Sequence, residues 1–139
     1  MKAHSYGICP YRIKNGKIEI LMNKCNKYSK WNFFKGKIEN GETFKECALR
    51  EFQEETGIKL NENELENYFF QTNPSKNIGI FLYNFTNNEY NFKFQKREIY
   101  EAKWLNIDNL NEISKNQSKI YNEILKLLKP KIKWAKHIK

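Results

Sequence analysis

The chain has 139 residues, enough for one domain with a real core, and its 40% hydrophobic and 15% aromatic content excludes a disordered tail. Its formal net charge of +9 invites an anionic partner such as polyphosphate or RNA, although AT-rich coding would also produce this bias to Lys, Asn and Ile. No apolar run could span a bilayer, MKAHSYGICPYR lacks a signal-peptide core, and Cys9, Cys25 and Cys47 form no C-x-x-C, so a cytoplasmic protein with reduced thiols is expected.

Residues 5–13 and 17–23 are predicted strands, joined by a hairpin turn at Asn15-Gly16. Residues 33–38 read as short and extended, and Glu39-Asn40-Gly41 as a turn. A helix starts at Thr43, which makes a capping box with Glu46, and Gly57 stops it. Residues 68–71 and 78–85 are predicted strands around a polar loop that holds Pro74. Residues 90–94 alternate like another strand, and 102–105 follow as the next. Asp108 opens a short helical turn. Helical spacing then recurs at Ile120, Tyr121, Ile124, Leu125 and Leu128, with Pro130 expected to end the helix. The tail LKPKIKWAKHIK is basic, with Ile132 and Trp134 as its apolar residues. The order predicts a single α+β domain over residues 1–139, with a basic C-terminal helix and tail at about 116–139.

The helix from Thr43 carries Phe44, Ala48, Leu49 and Phe52 on one apolar face, suited to packing on a sheet. Glu51, Glu54 and Glu55 share a neighbouring arc about 100° wide. Like charges at i,i+3 and i,i+4 repel, by a few tenths of a kcal/mol per solvated pair and more when buried. Two explanations stand at this point. The face is solvated, with Arg50 pairing Glu54, or a divalent cation relieves the repulsion.

From Gly36 the chain gives five residues, Glu42, seven residues, then Arg50-Glu51-Phe52-Gln53-Glu54-Glu55-Thr56-Gly57-Ile58. This resembles, at every fixed position, the Nudix box G-x5-E-x7-R-E-U-x-E-E-x-G-U, with Phe52 at a U position usually filled by Leu, Ile or Val. The resemblance implies the Nudix fold, a mixed β-sheet packed between α-helices. It also implies a Mg2+-dependent hydrolase of diphosphate linkages, with Mn2+ as a possible substitute. By that resemblance Glu54 and Glu55 bind the metal, Glu51 binds metal or activates water, and Arg50 orients Glu51 or its partners. A backbone carbonyl of the Lys35–Gly36 turn contributes as a further ligand. Some relatives add a glutamate from a later loop, a place that Glu98 matches, with Glu101 as its rival.

The preceding W-x-F-F-K-G-K-I is similar to the W-x-F-P-K-G-K of mRNA-decapping enzymes, RNA 5'-pyrophosphohydrolases and some dinucleoside tetraphosphate hydrolases, with Phe34 in place of the proline. Lys35 and Lys37 are candidate phosphate contacts as point charges, and Arg12 and Lys24 weaker ones. Trp31, Phe33 and Tyr83 are candidates to stack a base, against the commoner explanation of buried sheet aromatics. The expected substrate is a dinucleoside polyphosphate or the 5'-triphosphate end of RNA. Alternatives are a house-cleaning nucleoside triphosphate pyrophosphatase, and a Nudix module that binds nucleotide or RNA without catalysis. Hydrolysis of ADP-ribose or other nucleotide sugars ranks lower.

Overall fold

The computed structural model describes residues 3–87, 89–108 and 112–137. Strands β1 (Ala3–Lys14), β2 (Lys17–Lys24) and β3 (Phe34–Lys37) precede helix α1 (Phe44–Thr56). Strands β4 (Tyr68–Thr72), β5 (Lys76–Asn84) and β6 (Glu101–Asn106) follow, and helix α2 (Ser118–His137) closes the chain. The six strands make one mixed sheet in the order β4-β5-β1-β2-β6, with β3 pairing β1. Among the described strands β1 and β5 run parallel and the other pairs antiparallel. One edge of β1 serves two partners, β3 at Ser5–Ile8 and β2 at Tyr11–Lys14. Pro10, which has no N–H to offer a ladder, falls in the gap between them.

Strand alternation sends side chains to both faces, so the sheet needs cover on each. On one face Ile18, Ile20 and Met22 of β2 and Ile78, Ile80 and Leu82 of β5 meet Ile120, Ile124 and Leu128 of α2. On the other, Ile8, Leu21, Phe34 and Phe81 meet Ala48 and Phe52 of α1. The result is the α/β/α sandwich expected for the box. Among the described residues, no helix is long and apolar enough to cross a membrane.

Three local expectations are corrected. Residues 90–94 form no strand, although Tyr90, Phe92 and Phe94 do pack inward. Their backbone serves α1 instead: the Lys93 and Gln95 N–H groups donate to the carbonyls of Thr56 and Glu55 at 2.8 and 2.9 Å. These are helix-end acceptors that lack partners within α1. Helix α2 runs through Pro130 to His137. Lys126, which loses the proline's hydrogen bond, is exposed along with Pro130, so water can take the carbonyl. Phe44 is half-exposed, at 51%, because it opens α1 beyond the covered part of the sheet and stacks on Tyr6 at 4.4 Å. Beyond Asp108, residues 109–111 lie outside the described residues, as do Ile138 and Lys139 at the end of the basic tail.

Candidate functional site

Helix α1 is fixed at both ends by local chemistry. Thr43 accepts from the Glu46 N–H at 3.1 Å, and the Glu46 carboxylate accepts from the Thr43 N–H at 2.8 Å. Two otherwise unpaired backbone donors are satisfied together, worth about 1 kcal/mol for the cap alone. Gly57 ends the helix in the left-handed region, φ 76°, and its N–H donates to the Gln53 carbonyl. Between these stops, Ala48 and Phe52 are fully buried, which sets the helix's rotation on the sheet. That rotation distributes the three glutamates unequally.

Glu54 faces solvent with 58% of its side chain exposed, Glu51 is mostly covered at 14%, and Glu55 is buried. Arg50 holds the outer side of the cluster. Its Nε donates to Glu42 at 2.6 Å, its Nη1 to Glu51 at 2.8 Å and to Glu54 at 3.2 Å, and its Nη2 to the Lys37 carbonyl at 3.0 Å. One arginine thus engages Glu42, Glu51 and Glu54 together, more than the single Arg50–Glu54 pair of the solvated reading. These pairs hold Glu42 below the usual carboxylate range.

Glu55 lies beyond that reach. Its Oε1 is buried without a hydrogen-bond partner. Burial first, then the charges of Glu51 and Glu98, push its carboxyl up to about 9, against which Lys35 pulls downward. Glu51 is also raised, chiefly by burial, despite Arg50. Lys35 is pushed down to about 8 by burial and by Lys76. Gly36 passes so close to the Glu51 carboxyl that a Cβ there would overlap it. Only glycine permits that approach, which brings the β3 backbone at Gly36 against α1; Lys35 and Gly36 are paired strand residues and not the turn expected from the sequence.

The donor set fits a divalent cation on these observations: a buried carboxylate oxygen with no partner, two further carboxylates raising its pKa, and a glycine backbone pressed against one of them. Hard oxygen donors of this kind suit Mg2+. Among the described residues, no three acidic, His or Cys side chains already stand at metal-holding spacing.

The other candidates separate cleanly. Glu98 is near enough to raise both Glu51 and Glu55, whereas Glu101 sits opposite Lys24 in the β2–β6 ladder. Lys35 lies within electrostatic reach of Glu55, while Lys37 is exposed at the end of β3. Phe33 and Tyr83 are core residues, 1% and 2% exposed, and present no face to a ligand. Trp31 is 8% exposed, with the Lys24 ammonium 4.8 Å from its ring centroid. Arg12 lies six residues along β1 from Tyr6, the residue opposite Gly36, or ~20 Å at strand rise. It is bound to Glu19 at 2.6 Å and takes no part in the cluster.

Two features escaped the sequence. Gln71, Asn73 and Gln117 are buried polar residues that fasten the start of α2. Gln71 accepts from the Lys119 N–H and donates to the Lys115 carbonyl, and Gln117 accepts from the Phe33 N–H at 2.8 Å. Isolated amides carry no periodic signal. The second is the anchoring of Lys93 and Gln95 on α1, which is made by backbone and leaves no side-chain pattern.

The family model described as NUDIX domain matches residues 3–127. The m7GpppN-mRNA hydrolase of Saccharomyces cerevisiae is 30% identical over 121 residues, 86% of this chain and 12% of that protein. The mRNA decapping complex subunit 2 of Schizosaccharomyces pombe is 30% identical over 127 residues, 84% of this chain and 17% of that one. The chain thus spans less than a fifth of the length of these relatives. Among solved structures, a binary complex of Caenorhabditis elegans Ap4A hydrolase aligns with TM-score 0.71 at 21% identity, covering 91% of this chain and 97% of its own. A MutT structure, from a study of Aliivibrio salmonicida and Vibrio cholerae, aligns at 0.64 with 20% identity, covering 88% and 95%.

Proposed function

Because the chain belongs to the Nudix hydrolase family, we propose that it is a Mg2+-dependent pyrophosphohydrolase acting on a nucleoside polyphosphate, as a single domain in the cytoplasm. The substrate is a dinucleoside polyphosphate or the phosphorylated 5' end of RNA. The observation that carries this reading is Glu55: a buried carboxylate with an unpartnered oxygen, within electrostatic reach of Glu51, Glu98 and Lys35. The decapping relatives and the Ap4A hydrolase fold support the substrate class.

In this reading Glu51, Glu54, Glu55 and the Gly36 carbonyl hold the cation, with Mn2+ as a substitute. Bound there, it would neutralise charge on the diphosphate oxygens. Arg50 positions Glu51 and Glu54 between Glu42 and the cluster. Lys35 and Lys37 meet the phosphates. The water oxygen attacks one phosphorus, the bridging P–O bond breaks, and Glu98 takes the water's proton. The leaving phosphate departs with the bonding pair.

The test incubates the protein and its Glu55→Gln variant with Mg2+ and diadenosine tetraphosphate, 5'-triphosphate RNA, capped RNA, single nucleoside triphosphates and ADP-ribose. Turnover of the first two or of capped RNA, lost in the variant, is expected. Fastest turnover of single nucleoside triphosphates would move the assignment to a house-cleaning enzyme. No turnover with Mg2+ or Mn2+ would overturn the catalytic reading in favour of a binding module.

A further inference from the structure

Among the described residues, Tyr28 at 89% and Tyr100 at 59% are the most exposed large apolar side chains. Both stand among cations. Residues 24–30 carry Lys24, Lys27 and Lys30 with no acidic residue, and residues 96–103 carry Lys96, Arg97 and Lys103 against Glu98 and Glu101. Glu101 lies opposite Lys24 in the β2–β6 ladder, yet among the described residues none of the six cations closes an ion pair.

The segment that carries Tyr28 is a built turn. The Ser29 hydroxyl accepts from the Cys25 and Asn26 N–H groups at 3.1 and 3.2 Å, and the Asn26 side-chain oxygen accepts from the Tyr28 N–H at 2.9 Å. A ring presented from such a turn loses little freedom on contact. The Lys27 ammonium stands 5.8 Å from the Tyr28 centroid, at the outer limit of contact, and leaves the ring open. The second ring is tied to the same place, because the Tyr100 N–H donates to the Lys24 carbonyl at 2.8 Å. Ser29 folds back on Cys25, so the Tyr28 backbone lies within ~12 Å of that bond at standard chain dimensions. That is about three steps of stacked strand. The patch also adjoins the carboxylate cluster: Glu98, two residues before Tyr100, acts on Glu51 and Glu55, and Lys35 is within electrostatic reach of both Cys25 and Glu55.

These features narrow the partner. A ring as exposed as Tyr28 has no walls around it to enclose a small ligand. Protein interfaces are depleted in lysine, and five of the six cations here are lysines. Single-stranded nucleic acid is bound by this combination, aromatic faces for successive bases and cations for the backbone. We propose that Tyr28, Tyr100 and the surrounding lysines form the path of the single-stranded RNA chain that continues from a 5' end held at the carboxylates. Bases stack on the two rings, and Lys24, Lys27 and Lys30 meet the phosphates that link them. The choice of RNA, and its direction, rest on the hydrolytic reading.

Fluorescence anisotropy of the 139-residue protein with a labelled 5'-hydroxyl RNA of about 12 nucleotides, in EDTA, tests the path. This probe has no terminal phosphate and no metal to bring it to the carboxylates. Tyr28→Ala and Tyr100→Ala are each expected to weaken binding roughly tenfold, the worth of one stacked base. Lys27→Gln and Lys30→Gln should each reduce the slope of log affinity against log salt by about 0.7. Lys45→Gln is the charge-matched control, since Lys45 lies beside Tyr68 of β4, at the opposite edge of the sheet from β6, and binding should not change. All five side chains are exposed, so the variants keep the fold. Absence of binding, full affinity in both tyrosine variants, equal loss in Lys45→Gln, or equal affinity for a duplex would each overturn the proposal. The probe holds no diphosphate to cut, so these outcomes leave turnover of diadenosine tetraphosphate untouched. Binding at the tyrosines without turnover of any substrate would instead remove the hydrolytic reading and leave this surface in place.

Discussion

At Glu55, burial opposes ionisation while the proposed chemistry requires it. In the unfolded chain this carboxyl ionises near 4.5, and in the fold only near 9. Below pH 4.5 both states are protonated and the fold bears no penalty. Between those values only the unfolded state loses its proton, so stability falls as pH rises, levelling off above 9. Metal-free protein in EDTA should therefore lose up to ~1.4 kcal/mol per pH unit across that window. Urea melts at pH 5, 7 and 9 would check this, and Glu55→Gln should flatten the slope. Gly36→Ala is the complementary test, since its Cβ would displace the Glu51 carboxyl. A roughly hundredfold drop in kcat with an unchanged circular dichroism spectrum is expected, typical of a misplacement near 1 Å. The cluster itself was legible in the sequence, because fixed spacing carries it. Which glutamate would be buried was not, since that depends on how the sheet rotates α1. Arg12 was legible only as a cation near a strand's end; its pairing with Glu19 follows from the β1–β2 register, which a single strand does not disclose.

Among the elements, α1 depends most on its ends. Gly57→Ala should cost roughly 1–2 kcal/mol, the penalty for a side chain in the left-handed region. The added Cβ would meet Lys93 Cβ at 3.4 Å, an ordinary contact, so conformation alone sets the loss. Thr43→Ala should cost about 1 kcal/mol through the lost cap, read by the same melts. Most strands were legible from alternation and turn residues. The segment at 90–94 shows where that reading stops. Its period of two reports which side chains face the core, and Phe92 and Phe94 do. It cannot report where the backbone hydrogen bonds go. The amides of Lys93 and Gln95 finish α1 instead of joining a ladder.

For the molecule as a whole, cation binding and folding are linked. Mg2+ at a hundred times its dissociation constant should stabilise the fold by about 2.7 kcal/mol, and much less in Glu55→Gln. Thermal melts with and without the ion would measure the difference. With a net charge of +9, the KM for a polyphosphate or RNA substrate should rise with added salt, as counterion release predicts. An unchanged KM would mean that the surface charge plays no part in capture. The tethering of residues 93 and 95 also partitions the segment between β5 and β6. Its later half, which brings Glu98 to the carboxylates, is moored to the backbone of Glu55 and Thr56 and cannot change length without shifting them. Its earlier half is tied to β1 instead, where the Thr86 hydroxyl accepts from the Ile13 N–H at 3.1 Å, and Glu89 and Asn91 line a cavity beside Arg12. Substitutions at Glu89 and Asn91 would therefore leave the carboxylates in place, while changes beyond Lys93 would reach them through the backbone.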